Sequence, residues 1–182
     1  MAELTFNTPA GQTVDRHMLI LYLNTGTSDA PKWSPIGKRA TDSSMEYDWS
    51  NESNKDILGN TFSTAKKPII TQTFDPCELD GSDEAQLKIW NLAIKDQDAA
   101  ALMNMDMLLV HAYAGTANTA VFAERFESCA VLPSSLGGEG GGSVGMPIDV
   151  TFGGTRTVGT AAVVDKTVTF TAGGAAPANK GV

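Results

Sequence analysis

Two histidines and two cysteines are the residues of this sequence best suited to catalysis or metal binding. His17 and His111 each stand in an apolar segment that favours a strand, where a lone histidine usually belongs to the core or to an interface. Neither has the His, Cys or Asp spacing of a zinc site. Cys77 and Cys129 lie far apart without a CxxC spacing, which in a reducing cytosol favours buried free thiols over a disulfide.

Two further patterns could indicate an active site. The glycine-rich segment 136–143 lacks the Lys-Ser/Thr that ends a phosphate-binding loop, and a strand follows it where a helix is needed. We therefore interpret it as part of a flexible inter-strand loop, 136–145. Glu46 and Asp48 stand two residues apart, as paired catalytic carboxylates might, but their alternation with apolar residues is typical of a half-solvated strand. We expect no enzyme activity, no metal and no cofactor.

The charge of the chain restricts its partners. The 182 residues, enough for one domain, carry a net charge of −8. This charge argues against a protein that grips nucleic acid, but not against one past which nucleic acid slides. The first twelve residues carry no basic stretch followed by an apolar one, so we expect no secretion signal. The longest apolar run, 18–23, is too short to cross a bilayer.

Turn residues recur at short intervals, and most segments between them favour strands, which predicts an antiparallel meander. In 44–50 the apolar and polar residues alternate cleanly. The predicted strands are 17–23, 33–40, 44–50, 56–63, 67–74, 107–113, 119–132, 146–152 and 163–171.

One helix interrupts the strands. Ser82 is its expected N-cap. Leu87, Trp90 and Ile94 fall on one stripe, flanked by Ala85, Ile89, Leu92 and Ala93, and this wide stripe should lie across a sheet. Together these elements predict a mainly β fold, an antiparallel β-sandwich or barrel with one packed α-helix. We place a single domain at 1–172 and a flexible C-terminal tail at 173–182.

Three stretches follow one another in a characteristic order. The first is the meander 33–49, and the second, 65–94, is a strand that leads into the helix. The third, 122–160, has two strands around the glycine-rich loop and closes on a turn at 154–160. Together they resemble the major tail tube proteins of long-tailed bacteriophages, over residues 15–162. The resemblance lies in the order and character of the segments, because this family has no short diagnostic motif.

The resemblance implies a fold similar to the tube protein of type VI secretion, and a structural virion protein with no enzyme activity. Its β-sandwich would close inter-subunit sheets into hexameric rings, with the helix on the outer side, and the rings would stack into a tail tube for DNA ejection. It also implies assembly in the bacterial host cytoplasm, with no membrane contact. The partners would be the tape measure, the tail terminator and the baseplate or distal tail proteins.

The resemblance further implies that a long loop or hairpin, 41–64, reaches the adjacent ring; a solvated hairpin explains its acidic residues equally well. Candidate anchors for subunit contacts, which core packing within one subunit explains equally well, are Met18, Met45, Tyr47, Trp49 and Phe62. DNA should pass without specific binding, because an acidic wall does not hold phosphates. The acids hypothesised to face the lumen are Glu46, Asp48, Glu124, Glu127 and Asp149.

Two other classes of protein fit the same sequence. One is another virion ring or decoration protein, such as a tail terminator or a head decoration protein, which would form a single ring or bind capsid without polymerising. The other is a monomeric β-sandwich adhesin or carbohydrate-binding module, which would show a concentrated aromatic patch. Negative-stain microscopy of the purified protein separates the three.

Overall fold

The computed structural model describes residues 4–164 and 167–173, and in these residues every strand pairing is antiparallel. The strands are β1 (Leu19–Asn24), β2 (Trp33–Pro35), β3 (Met45–Asp48), β4 (Glu52–Lys55), β5 (Thr61–Thr64), β6 (Ile69–Phe74), β7 (Met105–Thr116), β8 (Ala120–Pro133), β9 (Ile148–Thr151), β10 (Arg156–Val164) and β11 (Thr167–Ala172). With one short helix packed against them, the predicted mainly β fold is confirmed. Apart from Gly173, the predicted tail lies outside the described residues.

Strand β8 organises the sheet because it is long enough to serve two sets of neighbours. Strand β7 pairs along one of its edges. The other edge is divided: residues 121–126 pair with β10, and residues 130–133 pair with β9. The sheet therefore forks at β8. One arm continues through β10 to β11, and the other runs through β9 and β6 to β3, which ends it.

The central strands β1 and β7 are buried on both faces, which explains their nearly continuous apolar sequence. Successive side chains point to opposite faces of a strand. Leu21 and Leu23 therefore join a large core between the strands β1, β7 and β8, the helix and the β9–β6 arm. Tyr22 joins a smaller core that the β10–β11 arm covers with Ala161 and Val168.

The helical region consists of α1 (Glu84–Trp90), a π-helical turn (Asn91–Lys95) and α2 (Ala99–Leu102). The N-cap is Asp83, whose carboxylate accepts hydrogen bonds from the backbone N–H groups of Ala85 and Gln86, both at 3.0 Å. The predicted cap, Ser82, is wrong by one residue, because its hydroxyl instead donates to Asp80 at 2.7 Å.

The predicted apolar stripe of the helix is correct at Trp90 and along its flank, which pack against the large core, but wrong at Leu87 and Ile94. The buried residues of α1 are Ala85, Gln86 and Ile89, whereas Leu87 is 57% exposed and Ile94 is 37% exposed. Gln86 can be buried because its amide is satisfied by backbone groups: it accepts from Asp80 N at 2.8 Å and donates to Glu78 O at 2.9 Å. Its burial turns Leu87 towards solvent.

Two strand predictions and one turn prediction also needed correction. The segment 33–40 is extended only to Pro35, because Gly37 and Arg39 take positive φ values of 101° and 59°. The segment 56–63 contains the turn between β4 and β5 instead of one strand. The predicted turn at 154–160 lies mostly within β10, where Gly159 is required by the close approach of Thr171 O, 2.2 Å from where a Cβ would stand.

The corrected helix face can be tested by paired substitutions in α1. Ile89→Ala removes a fully buried side chain and should lower the free energy of unfolding by about 2–4 kcal/mol. Leu87→Ala, the matched control, should change it by less than about 1 kcal/mol because Leu87 is largely solvated. Urea unfolding followed by circular dichroism measures both. Equal losses would contradict this helix orientation.

Candidate assembly surfaces

A two-stranded hairpin projects from the end of β3. Its strands β4 and β5 pair from Glu52–Thr64 to Lys55–Thr61, and every residue of both strands is exposed. At its root, the backbone N–H of Lys66 donates to the Trp49 carbonyl at 3.0 Å. A two-stranded hairpin alone is marginally stable in water. Because both of its faces are exposed, the hairpin is available for contact with another molecule.

The tip of this hairpin is ordered by one carboxylate. Asp56 accepts hydrogen bonds from the backbone N–H groups of Leu58 at 2.9 Å and Asn60 at 2.8 Å, and from the Asn60 side-chain amide at 3.0 Å. These bonds, chiefly those from Asn60, lower the pKa of Asp56. Gly59 supplies the positive φ of 85° that the turn needs. The tip therefore holds Ile57 and Leu58 in place at 102% and 81% exposure.

The predicted contact anchors divide into exposed and half-buried residues. Tyr47, Trp49 and Phe62 are 44%, 52% and 49% exposed, an unusual exposure for three aromatic side chains in one part of the chain. Met45 packs against the large core, and Met18 is half-buried in a short 3-10 turn. Core packing within the subunit thus accounts for Met45, whereas the three aromatic residues are exposed enough to contact a partner.

Three of the five predicted lumen acids share one face of the β9–β6–β3 arm. Residues paired across antiparallel strands lie on the same face. Glu46 pairs with Thr71, and Asp149 pairs with Thr73, two residues further along the same strand. Asp48 follows Glu46 by two residues and shares its orientation. All three acids are exposed, and this acidic sheet face has no opposite charge directly across it in the paired positions.

Glu124 is the exception among the predicted lumen acids, and its assignment to a lumen is corrected. The residue is 6% exposed. Its carboxylate accepts from Arg156 Nε and lies 3.1 Å from His111 Nε2, while His111 Nδ1 is 2.7 Å from the Tyr113 hydroxyl. Burial opposes its ionisation, but the hydrogen bonds and charges of His111 and Arg156 outweigh it and hold the pKa of Glu124 below its usual value. The negative charge of Glu124 is therefore paired with Arg156 inside the subunit.

Glu127 is exposed but stands apart from the acidic sheet face. It lines a separate cleft with Lys88, Asp106 and Arg125. There Arg125 binds Asp106 through two hydrogen bonds of 2.9 Å. The surroundings of Glu127 are therefore of mixed charge, unlike those of Glu46, Asp48 and Asp149.

A groove of about 770 Å³ opens between the two arms of the sheet, beside the root of the hairpin. Tyr47, Trp49 and Ile70 line it from the β3–β6 side. Phe126 and Phe152 line the opposite side, with their rings edge to face at a centroid distance of 4.9 Å. The groove combines apolar walls with access from solvent, which is the usual form of a docking site.

Sequence reasoning missed both the hairpin tip and the groove. The tip had a signal: Ile57 and Leu58 are apolar residues inside the turn sequence Asp-Ile-Leu-Gly-Asn, where polar residues are the rule. The groove had none, because its walls come from segments some eighty residues apart in the chain.

The residues best suited to chemistry lie in separate places. His17 is exposed in the 3-10 turn Arg16–Met18 and not in a strand as expected, whereas His111 lies in β7. Cys77 and Cys129 are buried free thiols, which confirms that prediction. Burial raises the pKa of Cys77, and it raises the pKa of Cys129 to about 12. Neither thiol is a reactive nucleophile at neutral pH.

The glycine-rich loop joins β8 to β9 and closes on itself at its base. Gly137 N donates to Gly145 O at 3.0 Å, and Gly145 N donates to Gly137 O at 2.6 Å. Across residues 4–164 and 167–173, no three His, Cys, Asp or Glu side chains cluster as metal ligands. Within the same part of the chain, no helix has the length and apolar character to span a bilayer.

Comparisons with known proteins give partial similarities in fold. No family model and no curated protein matches the chain. The PVC sheath/tube terminator of an extracellular contractile injection system, in its extended state, is 9% identical, with 82% of this chain and 99% of that chain covered and a TM-score of 0.48. The PVC sheath-tube complex in the extended state is 9% identical, with 82% and 93% covered and a TM-score of 0.46.

A third similar structure is the cap of the anti-feeding prophage, an AFP tube terminating cap. It is 16% identical, with 85% of this chain and 96% of that chain covered and a TM-score of 0.43. At TM-scores below 0.5, these similarities decide neither the fold nor the function of this chain.

The buried Glu124 pair predicts how stability depends on pH. Because its folded pKa is depressed, its contribution is present at neutral pH and is lost as the pH falls below the unfolded value of about 4.3. Glu124→Gln should cost about 1–3 kcal/mol at pH 7, and the difference from the wild type should shrink in acid. Urea unfolding at pH 7 and at a pH below about 4.3 measures this difference in the free energy of unfolding. A difference that is independent of pH would contradict the ion pair; Glu46→Gln is the exposed control.

Proposed function

We propose that this chain is a structural subunit that assembles with copies of itself into rings of a phage-like tail. The observation that carries the proposal is the projecting hairpin, exposed on both faces and ending in two bare aliphatic side chains. Fully burying a Leu or Ile side chain contributes about 1.5–3 kcal/mol. A contact repeated in every copy around a ring multiplies this gain, whereas a monomer has no use for it.

The unpaired outer edge of β3 supports ring formation. This strand has β6 on one side and ends its arm of the sheet in the described residues. Open strand edges associate readily, and proteins cover them or use them for pairing. If the edge pairs with a neighbouring copy, the contact joins different surfaces of the two subunits, and such head-to-tail contacts give closed rings or open stacks. Tyr47 and Trp49 flank this edge and are its natural anchors.

The acidic sheet face supports a conduit for DNA. Glu46, Asp48 and Asp149 are exposed on one face of one arm, and the whole chain carries a charge of −8. Duplex DNA carries about one charge per 1.7 Å, so a wall with these acids would repel it and let it slide. In this role DNA passes the subunit without specific binding, and the rings meet a tape measure and distal tail proteins at the ends of the tube.

Two positions in such a tail fit the surfaces of this chain. A tube ring needs stacking contacts at both ends, whereas a terminator forms a single ring that ends the tube. The hairpin supplies one contact per copy within a ring, which a terminator and a tube ring both need. The names of two of the similar structures describe terminators of those tubes. Polymerisation of the purified protein distinguishes the tube ring from the terminator.

The hairpin tip gives the direct test of self-assembly. The double substitution Ile57→Ser and Leu58→Ser should leave the melting temperature almost unchanged, because both side chains are solvated in the subunit. It should shift the protein from oligomers to monomers in size-exclusion chromatography with light scattering. Met103→Ser, at 51% exposure after the end of α2, is the control and should still assemble. Unchanged oligomers in the double variant would rule the hairpin out as a contact.

The acidic sheet face gives a second test, in a phage that carries the protein. Replacing Glu46, Asp48 and Asp149 together with Lys should leave rings or tubes intact in micrographs but slow DNA ejection, because the wall would then attract phosphates. Glu139→Lys in the glycine-rich loop is the control for a charge reversal outside this sheet face. Normal ejection kinetics in the triple variant would remove these acids from the lumen.

A further inference from the structure

The hairpin tip and the root groove form a complementary pair on one chain. The root groove is the 770 Å³ space lined by Tyr47, Trp49 and Ile70 and by Phe126 and Phe152. Its volume lies within the range of about 300–1,000 Å³ that ligand sites usually have, and it has ample room for two aliphatic side chains. The tip presents such a pair, held outward by an ordered turn.

The tip does not occupy the groove of its own subunit. Trp49, at the root of the hairpin, lines the groove, whereas Ile57 and Leu58 do not. Strand β4 carries the chain outward over the four residues Glu52–Lys55, about 13 Å at about 3.3 Å per residue. Both tip side chains are left in solvent, at 102% and 81% exposure, and are open to contact with a neighbouring copy.

Charge agrees with this arrangement. The charged residues that line the groove are Lys67, Arg156 and Glu124. Arg156 is paired with Glu124, so the net positive charge of the rim comes from Lys67. The turn at the tip carries Asp56, whose lowered pKa keeps it ionised. An inserted tip would thus bring a fixed negative charge to a positive rim while its two aliphatic side chains fill the apolar interior.

We propose that the Ile57–Leu58 tip of one copy inserts into the root groove of the next copy. This inference rests on the proposed self-assembly and adds the two surfaces that meet. The contact is heterologous, since the tip and the groove are different surfaces, and every copy therefore gives one tip and receives another. Repetition around a closed ring leaves no tip and no groove unused. The neighbour's tip would cover Trp49 and Tyr47, the two exposed aromatic residues of the groove.

Disulfide trapping tests this contact directly, because the native thiols are buried and unreactive. One variant carries Leu58→Cys at the tip, and a second, with a different affinity tag, carries Thr155→Cys at the exposed groove rim. The two are mixed, allowed to assemble and oxidised. Each copy then has one accessible thiol, so a dimer containing both tags joins one tip to one groove. The control replaces Thr155→Cys with Glu139→Cys in the glycine-rich loop.

The expected result is roughly tenfold more two-tag dimer with Thr155→Cys than with Glu139→Cys, because thiols held in a contact react at a high effective concentration. Equal yields from oligomers that light scattering shows to be intact would overturn the tip-in-groove contact and leave self-assembly standing. Failure of the unmodified chain to assemble would overturn both. If Leu58→Cys alone prevents assembly, Ile57→Cys paired with Lys67→Cys decides between the same outcomes.

Discussion

The division of β8 between two neighbours is the constraint on which the rest of this structure depends. Residues 121–126 pair with β10 and residues 130–133 with β9, so the two arms of the sheet must separate between them. The root groove occupies this separation, and the segment Gly153–Thr155 that links the arms forms part of its lining. The β3 edge and its hairpin stand at the end of one arm. The root groove and the hairpin at the β3 edge therefore both follow from the division of β8 between two neighbouring strands.

Buried polar contacts hold the fork in place. Glu124 on β8 joins Arg156 on β10 and His111 on β7, across three adjacent strands. At the helix, the side chain of Gln86 joins α1 to the segment before it through hydrogen bonds with the backbone of Asp80 and Glu78. Such fully satisfied groups specify one arrangement where apolar packing alone would tolerate several. The Glu124 contacts join β8 to β10, the strands that carry the groove residues Phe126 and Arg156.

The elements that the sequence predicted correctly are those set by local periodicity. The apolar run at 18–23 contains β1, and the alternating segment 44–50 contains β3. A strand buried on both faces has a continuous apolar sequence, and a strand buried on one face has an alternating sequence. The helix and most of its buried face were predicted, but the burial of Gln86 was not: its hydrogen bonds to the backbone of Asp80 and Glu78 put a polar residue inside, and Leu87 lies outside. Gly159 suggested a turn, although it serves close strand packing in β10.

The candidate sites were predictable only where exposure follows from strand alternation. Glu46, Asp48 and Asp149 share a face as their spacing requires, whereas Glu124 is neutralised by Arg156, 32 residues away along the chain, which no local pattern reveals. Contact surfaces made of distant segments, such as the root groove, need the tertiary structure to be seen.

Self-association is the central claim, and electron microscopy of the unmodified chain in negative stain tests it most directly. The account predicts ring-shaped particles with an open centre, alone if the chain is a terminator and stacked if it forms a tube. A uniform population of single 19.1 kDa subunits at every concentration tested would contradict it.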